Sequence, residues 1–309
     1  MKLIHASLKE MRRAFRVFAQ YRGMRKVSTF GSARTPAGSP QYEQAHEFAR
    51  RMADAGFMVI TGAGPGIMRA CNEGSGRDRS FGINIRLPFE QAANDIIDKD
   101  PKLVTFKYFF TRKLMFVKEC DAVCMLPGGF GTMDEAMEVL TLLQTGKRDL
   151  VPIVFLDEPG GTFWQGWQEF VEKQLLAGGM ISPDDLALYK LTDQVDEAVA
   201  EIRKFYRNYH SMRYVRNKLV FRLQHQLTGA QLHHINVNFS EVLQEGEFTA
   251  SGPLKEERDE PELADLSRLV FRFNRRDLGR LRMLVDYLNE LVPADAPVPH
   301  PEPPKTPEL

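Results

Sequence analysis

Short apolar segments alternate with longer amphipathic ones through the first two thirds of this chain of 309 residues. The short segments have the length and composition of buried β-strands, and most of the segments between them have helical periodicity. Strands that are separated by helices run parallel, and both faces of a parallel sheet are covered. The alternation therefore predicts an α/β fold, a doubly wound parallel sheet with helices on both faces.

These patterns place the individual elements along the chain. We expect a basic, amphipathic leading helix over residues 6–22 and a second helix over residues 40–55. Six short apolar segments are expected as strands, namely 25–33, 57–61, 81–85, 103–106, 121–126 and 152–155.

The pattern changes after residue 204, and we expect a small α+β subdomain there. A basic stretch over residues 205–227 indicates a helix, segments 235–239 and 269–273 indicate strands, and residues 275–291 form an amphipathic helix. The expected division of the chain is an N-terminal helix (1–24), the α/β domain (25–204), the extension (205–292) and a proline-rich, disordered tail (293–309).

Composition argues against several classes of protein. Lysine plus arginine and aspartate plus glutamate number 41 each, so the formal charge is zero, which argues against nucleic acid as a partner. The sequence has neither the apolar core of a signal peptide nor a run long enough to span a bilayer. Cys71, Cys120 and Cys124 lack the spacing of a disulfide framework or a zinc site. We expect a cytoplasmic protein that contacts no membrane and holds no metal and no cofactor.

The segment CMLPGGFGTMDE, residues 124–135, carries the strongest functional signal. A buried strand runs into a proline, three glycines, a threonine and two acids that open a helix. Glycines let the backbone approach a ligand closely, and the N–H groups at a helix start suit a phosphate. Thr132 would add its hydroxyl or cap the helix. The alternative is an ordinary strand-to-helix turn whose acids complement the helix dipole.

A second glycine-rich turn, TGAGPGIM over residues 61–68, also follows a strand and precedes a helix. Its spacing is GxGxG rather than GxGxxG, and the next strand ends in Arg86 instead of an acid that would hold a ribose hydroxyl. Such sheets bind ligands beyond the carboxyl ends of their strands, so the two turns indicate a mononucleotide pocket. The residues expected to line it on this side are Gly31, Ser32, Gly62, Gly64, Gly66 and Met68.

Arg112 and Lys113 lie at the start of the helix that precedes the strand of the PGGFGT run. An arginine at this place would fork onto a phosphate or a sugar hydroxyl. The alternative is a solvated pair of charges on a helix surface.

Taken together, these residues resemble the LOG (Lonely Guy) family, long mislabelled as lysine decarboxylases. Residues 127–135 fit its signature PGGxGTxxE, Arg112-Lys113 fits its RK element, and residues 62–68 and 30–33 resemble its first glycine loop and its FGSA-like turn. The resemblance covers roughly residues 25–205. Members have a Rossmann-like fold, form homo-oligomers usually built on dimers, and hydrolyse the N-glycosidic bond of nucleoside 5′-monophosphates.

The resemblance implies that Arg112 and Glu135 are the catalytic pair and that Lys113 belongs to the substrate site. The implied products are a free base and ribose 5-phosphate, from AMP-like nucleotides or cytokinin ribotides, and the implied assembly is a homodimer. Ala63 stands where many relatives have glycine, and the part after residue 205 is absent from short plant-type members, so the base is left open. The phosphate is implied to lie against Gly128, Gly129, Gly131 and Thr132.

Breaking an N-glycosidic bond builds positive charge on the ribose ring. A carboxylate stabilises that charge and orients or deprotonates water. We expect Glu135 to act in its ionised form, favoured by the helix N-terminus and by Arg112. Asp134 and Glu138 are the alternatives on the same helix.

Three other functions stay open. A nucleotide or another phosphate-bearing cofactor would be carried on the same fold without being cleaved. A decarboxylase would need a lysine for pyridoxal phosphate, and Lys113 alone is suitably placed. Nucleic acid would contact the basic clusters that begin at residue 203, although an acidic run at 256–265 lies between them and would neutralise either cluster.

Overall fold

The computed structural model describes residues 1–86 and 92–293. In this part of the chain, seven parallel strands form a main sheet and four antiparallel strands form a second sheet. The predicted proline-rich tail lies outside the described residues, apart from residue 293.

The main sheet confirms the predicted α/β class. Its strands are β1 (Lys26–Phe30), β2 (Met58–Thr61), β3 (Ser80–Ile85), β4 (Leu103–Phe106), β5 (Ala122–Met125), β6 (Ile153–Leu156) and β7 (Lys190–Thr192). They lie in the order β4-β3-β2-β1-β5-β6-β7, so the chain reverses its direction of growth at β1. The strand β7 is not predicted by the sequence pattern, because it has three residues, none fully buried, and lies at the sheet edge.

Seven helices accompany this sheet in the described residues and cover both of its faces. They are α1 (Lys2–Ala19), α2 (Pro40–Asp54), α3 (Ile67–Arg79), α4 (Phe109–Lys118), α5 (Phe130–Gln144), α6 (Phe163–Phe170) and α7 (Val195–Phe205). Helix α2 packs against α3 and α7, whereas α1 packs against α4 on the other face. The start of α2 is defined by two sequence signals. Ser39 is the N-cap and accepts a hydrogen bond from the Tyr42 N–H, and Pro40 occupies the first helical position.

The contact between α2 and α3 depends on a glycine. A Cβ atom on Gly74 would lie 2.0 Å from the carbonyl oxygen of His46, which is backbone and cannot move aside cheaply. We therefore expect Gly74→Ala to lower the free energy of unfolding by about 2 kcal/mol or more. The matched control is Gly166→Ala in α6, where a Cβ atom meets nothing within 4 Å and helix propensity favours alanine. Chemical denaturation of both variants checks this, and equal midpoints would contradict it.

The second sheet contains the strands of the C-terminal part. They are β8 (Tyr209–Val215), β9 (Lys218–Leu223), β10 (Leu243–Ser251) and β11 (Ser267–Phe273), in the order β10-β11-β9-β8. Two helices complete this part, α8 (Gly229–Asn238) and α9 (Leu278–Glu290). The strand predicted at 269–273 and the helix predicted at 275–291 are confirmed.

Two predictions for the C-terminal part are wrong. Residues 205–227 form the β8–β9 hairpin rather than a basic helix, and one of their arginines, Arg222, is 1% exposed. Residues 235–239, predicted as a strand, lie mostly in α8. That helix starts at a capping box in which Thr228 and Gln231 bond each other's backbone N–H groups, at 3.3 and 2.9 Å.

The acidic run at 256–265 pairs with several arginines of both basic clusters. Glu257 bonds both Arg222 and Arg268, and Glu260 bonds Arg222 and Arg213. Apolar side chains of both sheets and of α9 form one continuous core. The predicted boundaries between subdomains stay a proposal.

Candidate active site

Three turns meet at the carboxyl edge of the main sheet, where the sequence analysis places the ligand. They follow β1, β2 and β5, which are direct neighbours in the sheet. The Ser32 N–H donates to the Pro127 carbonyl at 3.1 Å, and the Ile67 N–H donates to the Ser32 carbonyl at 3.0 Å. Segments far apart in sequence are therefore hydrogen-bonded to each other beside β1, where the order of the strands reverses. Ligands usually bind at this position in doubly wound sheets.

The glycines of these turns are required by close backbone contacts. A Cβ atom on Gly128 would lie 2.1 Å from the Thr132 hydroxyl oxygen. Gly66, with φ +62°, would bring a Cβ atom to 2.3 Å from the Ser32 carbonyl oxygen. In the same way, a Cβ atom on Gly31 would lie 2.6 Å from the Ile67 side chain.

Gly129 and Gly131 differ from these glycines, because a Cβ atom on either would meet nothing within 4 Å. Both are at least partly exposed, and Gly129 is the N-cap of α5 without a side-chain cap. Thr132 does not cap the helix, since it lies inside α5 with its hydroxyl against Gly128. The start of α5 thus presents open space beside uncapped backbone, which suits an anion.

The turn after β2 is held by a buried polar network that sequence reasoning missed. Thr61 Oγ1 lies 2.8 Å from Asn72 Oδ1 and accepts the Ala63 N–H at 3.0 Å. The Asn94 amide donates to the Gly64 carbonyl at 3.0 Å. Ala63 adopts φ +59°, so it takes up the left-handed backbone that glycine would adopt freely. The sequence signal for this network was Asn72, a polar residue on the buried face of α3.

Arg112 lies directly over this turn. A Cβ atom on Gly62 would be 2.5 Å from Nη2 of Arg112 and 2.6 Å from the sulfur of Met68. The Arg112 Nε donates to the Ile83 carbonyl at 2.9 Å, and the guanidinium carbon is 5.1 Å from the centre of the Phe116 ring. Burial lowers the pKa of Arg112, and the nearby charge of Glu135 opposes that effect.

Glu135 is buried in α5, with 6% of its surface exposed. Its Oε2 has no hydrogen-bond partner within the part of the chain that the structure describes. Burial raises the pKa of Glu135 to about 7, although the charges of Lys113 and Arg112 act in the opposite direction. Desolvation thus outweighs the two cations, so the pKa of this carboxyl lies above its ordinary value rather than below it.

Lys113 faces the two neighbouring acids of α5 rather than Glu135 itself. Its Nζ lies 2.7 Å from Asp134 and 2.5 Å from Glu138. Burial alone would lower the pKa of Lys113, but these ion pairs outweigh it and raise the pKa. Asp134 and Glu138, the alternative carboxylates, are thus already paired, whereas Glu135 keeps an unpartnered oxygen.

The resemblance to the LOG family is confirmed by comparison with known proteins. Residues 66–202 match the family model described as possible lysine decarboxylase. Cytokinin riboside 5′-monophosphate phosphoribohydrolase LOG3 of Arabidopsis thaliana is 31% identical over 94 residues, which are 30% of this chain and 42% of that protein. The chain therefore spans less than half the length of this relative.

A second relative matches over a longer stretch. Cytokinin riboside 5′-monophosphate phosphoribohydrolase of Mycobacterium tuberculosis is 27% identical over 169 residues, covering 54% of this chain and 88% of that protein. Among solved structures, the molybdenum cofactor carrier protein of Chlamydomonas reinhardtii covers 59% of this chain and 96% of its own, with 19% identity and a TM-score of 0.40. Likeness at that level carries no argument about function.

Three further observations concern residues 1–86 and 92–293. No group of three or more histidine, cysteine or acidic side chains is arranged there to hold a metal ion. No helix within those ranges has the length and apolar character needed to cross a membrane. All three cysteines are buried and free.

Proposed function

We propose that this protein hydrolyses the N-glycosidic bond of nucleoside 5′-monophosphates, releasing a free base and ribose 5-phosphate. One observation carries the proposal: the buried carboxyl group of Glu135 has an unpartnered oxygen and lies near Arg112, at the sheet edge where three glycine-containing turns meet. The similarity to phosphoribohydrolases supports the same reaction.

The substrate's phosphate has a suitable place at the start of α5. Gly129 and Gly131 leave room for it, and the uncapped helix start supplies N–H groups and the positive end of the helix dipole. Binding there would use the phosphate to position the sugar relative to Glu135, five residues after the start of the helix. Gly31, Ser32, Gly62, Gly64, Gly66 and Met68 form the facing turns in this proposal.

Glu135 would stabilise the positive charge that develops on the ribose ring and accept a proton from the attacking water. A pKa of about 7 suits a general base at neutral pH, because the group is partly ionised and still basic. The positive charge of the transition state favours the ionised carboxylate at the moment of reaction. Arg112 would bind the sugar or stabilise the departing base, from a guanidinium held by the Ile83 carbonyl.

We further propose that the protein works as a homodimer in the cytoplasm. Phe109, Phe110 and Leu114 of α4 are 56%, 55% and 44% exposed, an apolar surface of the kind that a partner subunit covers. The three free cysteines are consistent with a reducing compartment.

The test is to incubate the purified protein with a panel of nucleoside monophosphates and to quantify free base and ribose 5-phosphate. We expect AMP to exceed adenosine by at least about 100-fold in kcat/KM, because the nucleoside lacks the phosphate that positions its sugar. Equal rates for AMP and adenosine would contradict the phosphate site. If monophosphates bind but no free base is released, the protein is a nucleotide carrier rather than a hydrolase.

A further inference from the structure

A cavity of about 640 Å³ lies at the edge of the main sheet opposite the candidate active site. One wall is formed by residues at the amino ends of the central strands, Lys26 of β1, Asp121 before β5 and Val151 before β6. Tyr209 and Arg213 of β8 form part of the facing wall. The cavity therefore lies between the main sheet and the C-terminal part, and its volume is that of a pocket for a small organic ligand.

The wall of this cavity has an excess of positive charge, with eight basic and four acidic side chains. Some of the basic groups are neutralised inside the protein. Arg25 pairs with Asp121 at 3.2 Å and stacks on the Tyr206 ring, 3.6 Å from its centre. Arg213 and Arg222 both pair with Glu260.

Three of the basic groups are not neutralised in this way. Among the described residues, Arg22, Lys147 and Arg148 have no carboxylate oxygen within 4.0 Å, although the Asp149 carboxylate, also in the wall, interacts with Arg148 over a longer distance. One Arg148 nitrogen, Nη2, donates to the Cys120 carbonyl, but its Nε and Nη1 are buried without a hydrogen-bond partner in the same part of the chain. A guanidinium with unused donors, next to two further cations without a counter-charge, favours an anion in the cavity.

Apolar side chains complete the wall. Val117 of α4, Leu142 of α5 and Leu150 line the cavity together with the basic groups. A surface of this kind suits the ring of a base or the face of a sugar, whereas arginine forks suit phosphate oxygens. We propose that the cavity is a second binding site, for a nucleotide-sized molecule that carries two or more phosphate groups.

This site is separate from the candidate active site but shares two helices with it. Helix α4 carries Arg112 near its start and lines the cavity with Lys118 at its end, about 9 Å further along the helix axis. Helix α5 starts at the glycine turn and lines the cavity with Leu142. Binding in the cavity does not depend on the proposed hydrolysis.

The test is isothermal titration calorimetry on the full chain with ATP, inorganic tripolyphosphate and adenosine. We expect the two polyphosphates to bind, more weakly as salt is raised, and adenosine alone not to bind measurably. The double variant Arg22→Ala/Lys147→Ala is expected to weaken tripolyphosphate binding at least about tenfold. Both side chains are at least partly exposed, so the fold should tolerate the change. The tripolyphosphate affinity of Arg148→Ala gives a second, independent measurement.

The matched control is Arg203→Ala/Arg276→Ala, which removes two exposed positive charges outside the cavity and is expected to keep the affinity. Arg112→Ala is also expected to keep it, because Arg112 lies in the candidate active site and does not line the cavity. Absence of saturable tripolyphosphate binding, an equal loss in the control, or a loss in Arg112→Ala alone would each overturn the proposal.

Discussion

A Glu135→Gln variant is expected to lose at least about 10³-fold in kcat for release of base from a nucleoside 5′-monophosphate. The amide has the size of the carboxyl group but cannot become negatively charged, so it neither stabilises the ribosyl cation nor accepts a proton from water. Substrate affinity should change much less, because in the proposed complex the phosphate is held by the turn after β5. Single-turnover rates and equilibrium binding of the same nucleotide measure the two effects separately.

The comparison variant is Glu138→Gln, one turn further along α5. Glu138 pairs with Lys113 on the partly exposed side of the helix, so its loss should cost less than about tenfold. Similar losses in both variants would contradict the special role of Glu135. If Glu135→Gln keeps its activity within about tenfold of the parent, another carboxylate must catalyse the reaction.

The same substitution should also change stability with pH. The pKa of Glu135 is raised from its ordinary value of 4.5 to about 7 in the fold, so the folded chain holds this proton more tightly than the unfolded chain. The cost of ionising the group is absent below about pH 4.5 and complete above pH 7, where it amounts to about 1–3 kcal/mol. Glu135→Gln should therefore be more stable than the parent at pH 8 and equal to it near pH 4.

The main sheet and the meeting of the three turns could be predicted from the sequence because both follow from local patterns. Buried parallel strands are short apolar runs, and the fold brings their carboxyl ends together whatever lies between them. The place of Gly31, Gly62 and Gly128 at one edge follows from strand order alone. The pKa of Glu135 cannot be predicted from the sequence in this way, because it depends on how much water and how many charges surround the carboxyl group in the folded chain.

The C-terminal part is harder to predict because its charges are buried. Arg222 and Arg268 are each 1% exposed on neighbouring strands, β9 and β11, where an alternating pattern would place apolar residues. Charged residues that recur along a segment normally indicate a solvated surface. The sequence of the β8–β9 hairpin therefore resembles a basic helix with an exposed charged face, although the segment forms two strands. The partners of Arg222, Glu257 and Glu260, lie more than 30 residues away from it, a pairing that no local period reveals.

Glu257→Gln is expected to lower the free energy of unfolding by about 3–5 kcal/mol, because it leaves two buried guanidinium groups without their shared counter-charge. The Glu257 carboxylate accepts from Arg222 at 2.8 Å, from Arg268 at 3.0 Å and from the Leu254 N–H at 3.0 Å. The control is Glu256→Gln, the adjacent residue, whose partner Arg216 is 81% exposed and whose loss should cost less than about 1 kcal/mol. Urea denaturation of both variants measures the difference, and equal midpoints would refute it.

The pH dependence at Glu257 should have the opposite sign to that at Glu135. Burial alone would raise the pKa of Glu257, but the Leu254 N–H, Arg268 and Arg222 outweigh it and hold the pKa below its ordinary 4.5. Its stabilising contribution is therefore complete above about pH 5 and is lost as the pH falls through the lowered pKa. At pH 8, Glu135→Gln should stabilise the fold and Glu257→Gln should destabilise it. In acid the two variants should converge on the parent, because all three chains are then neutral at both positions. A destabilisation by Glu257→Gln that persists undiminished in acid would show that packing, rather than charge, sets the role of this residue.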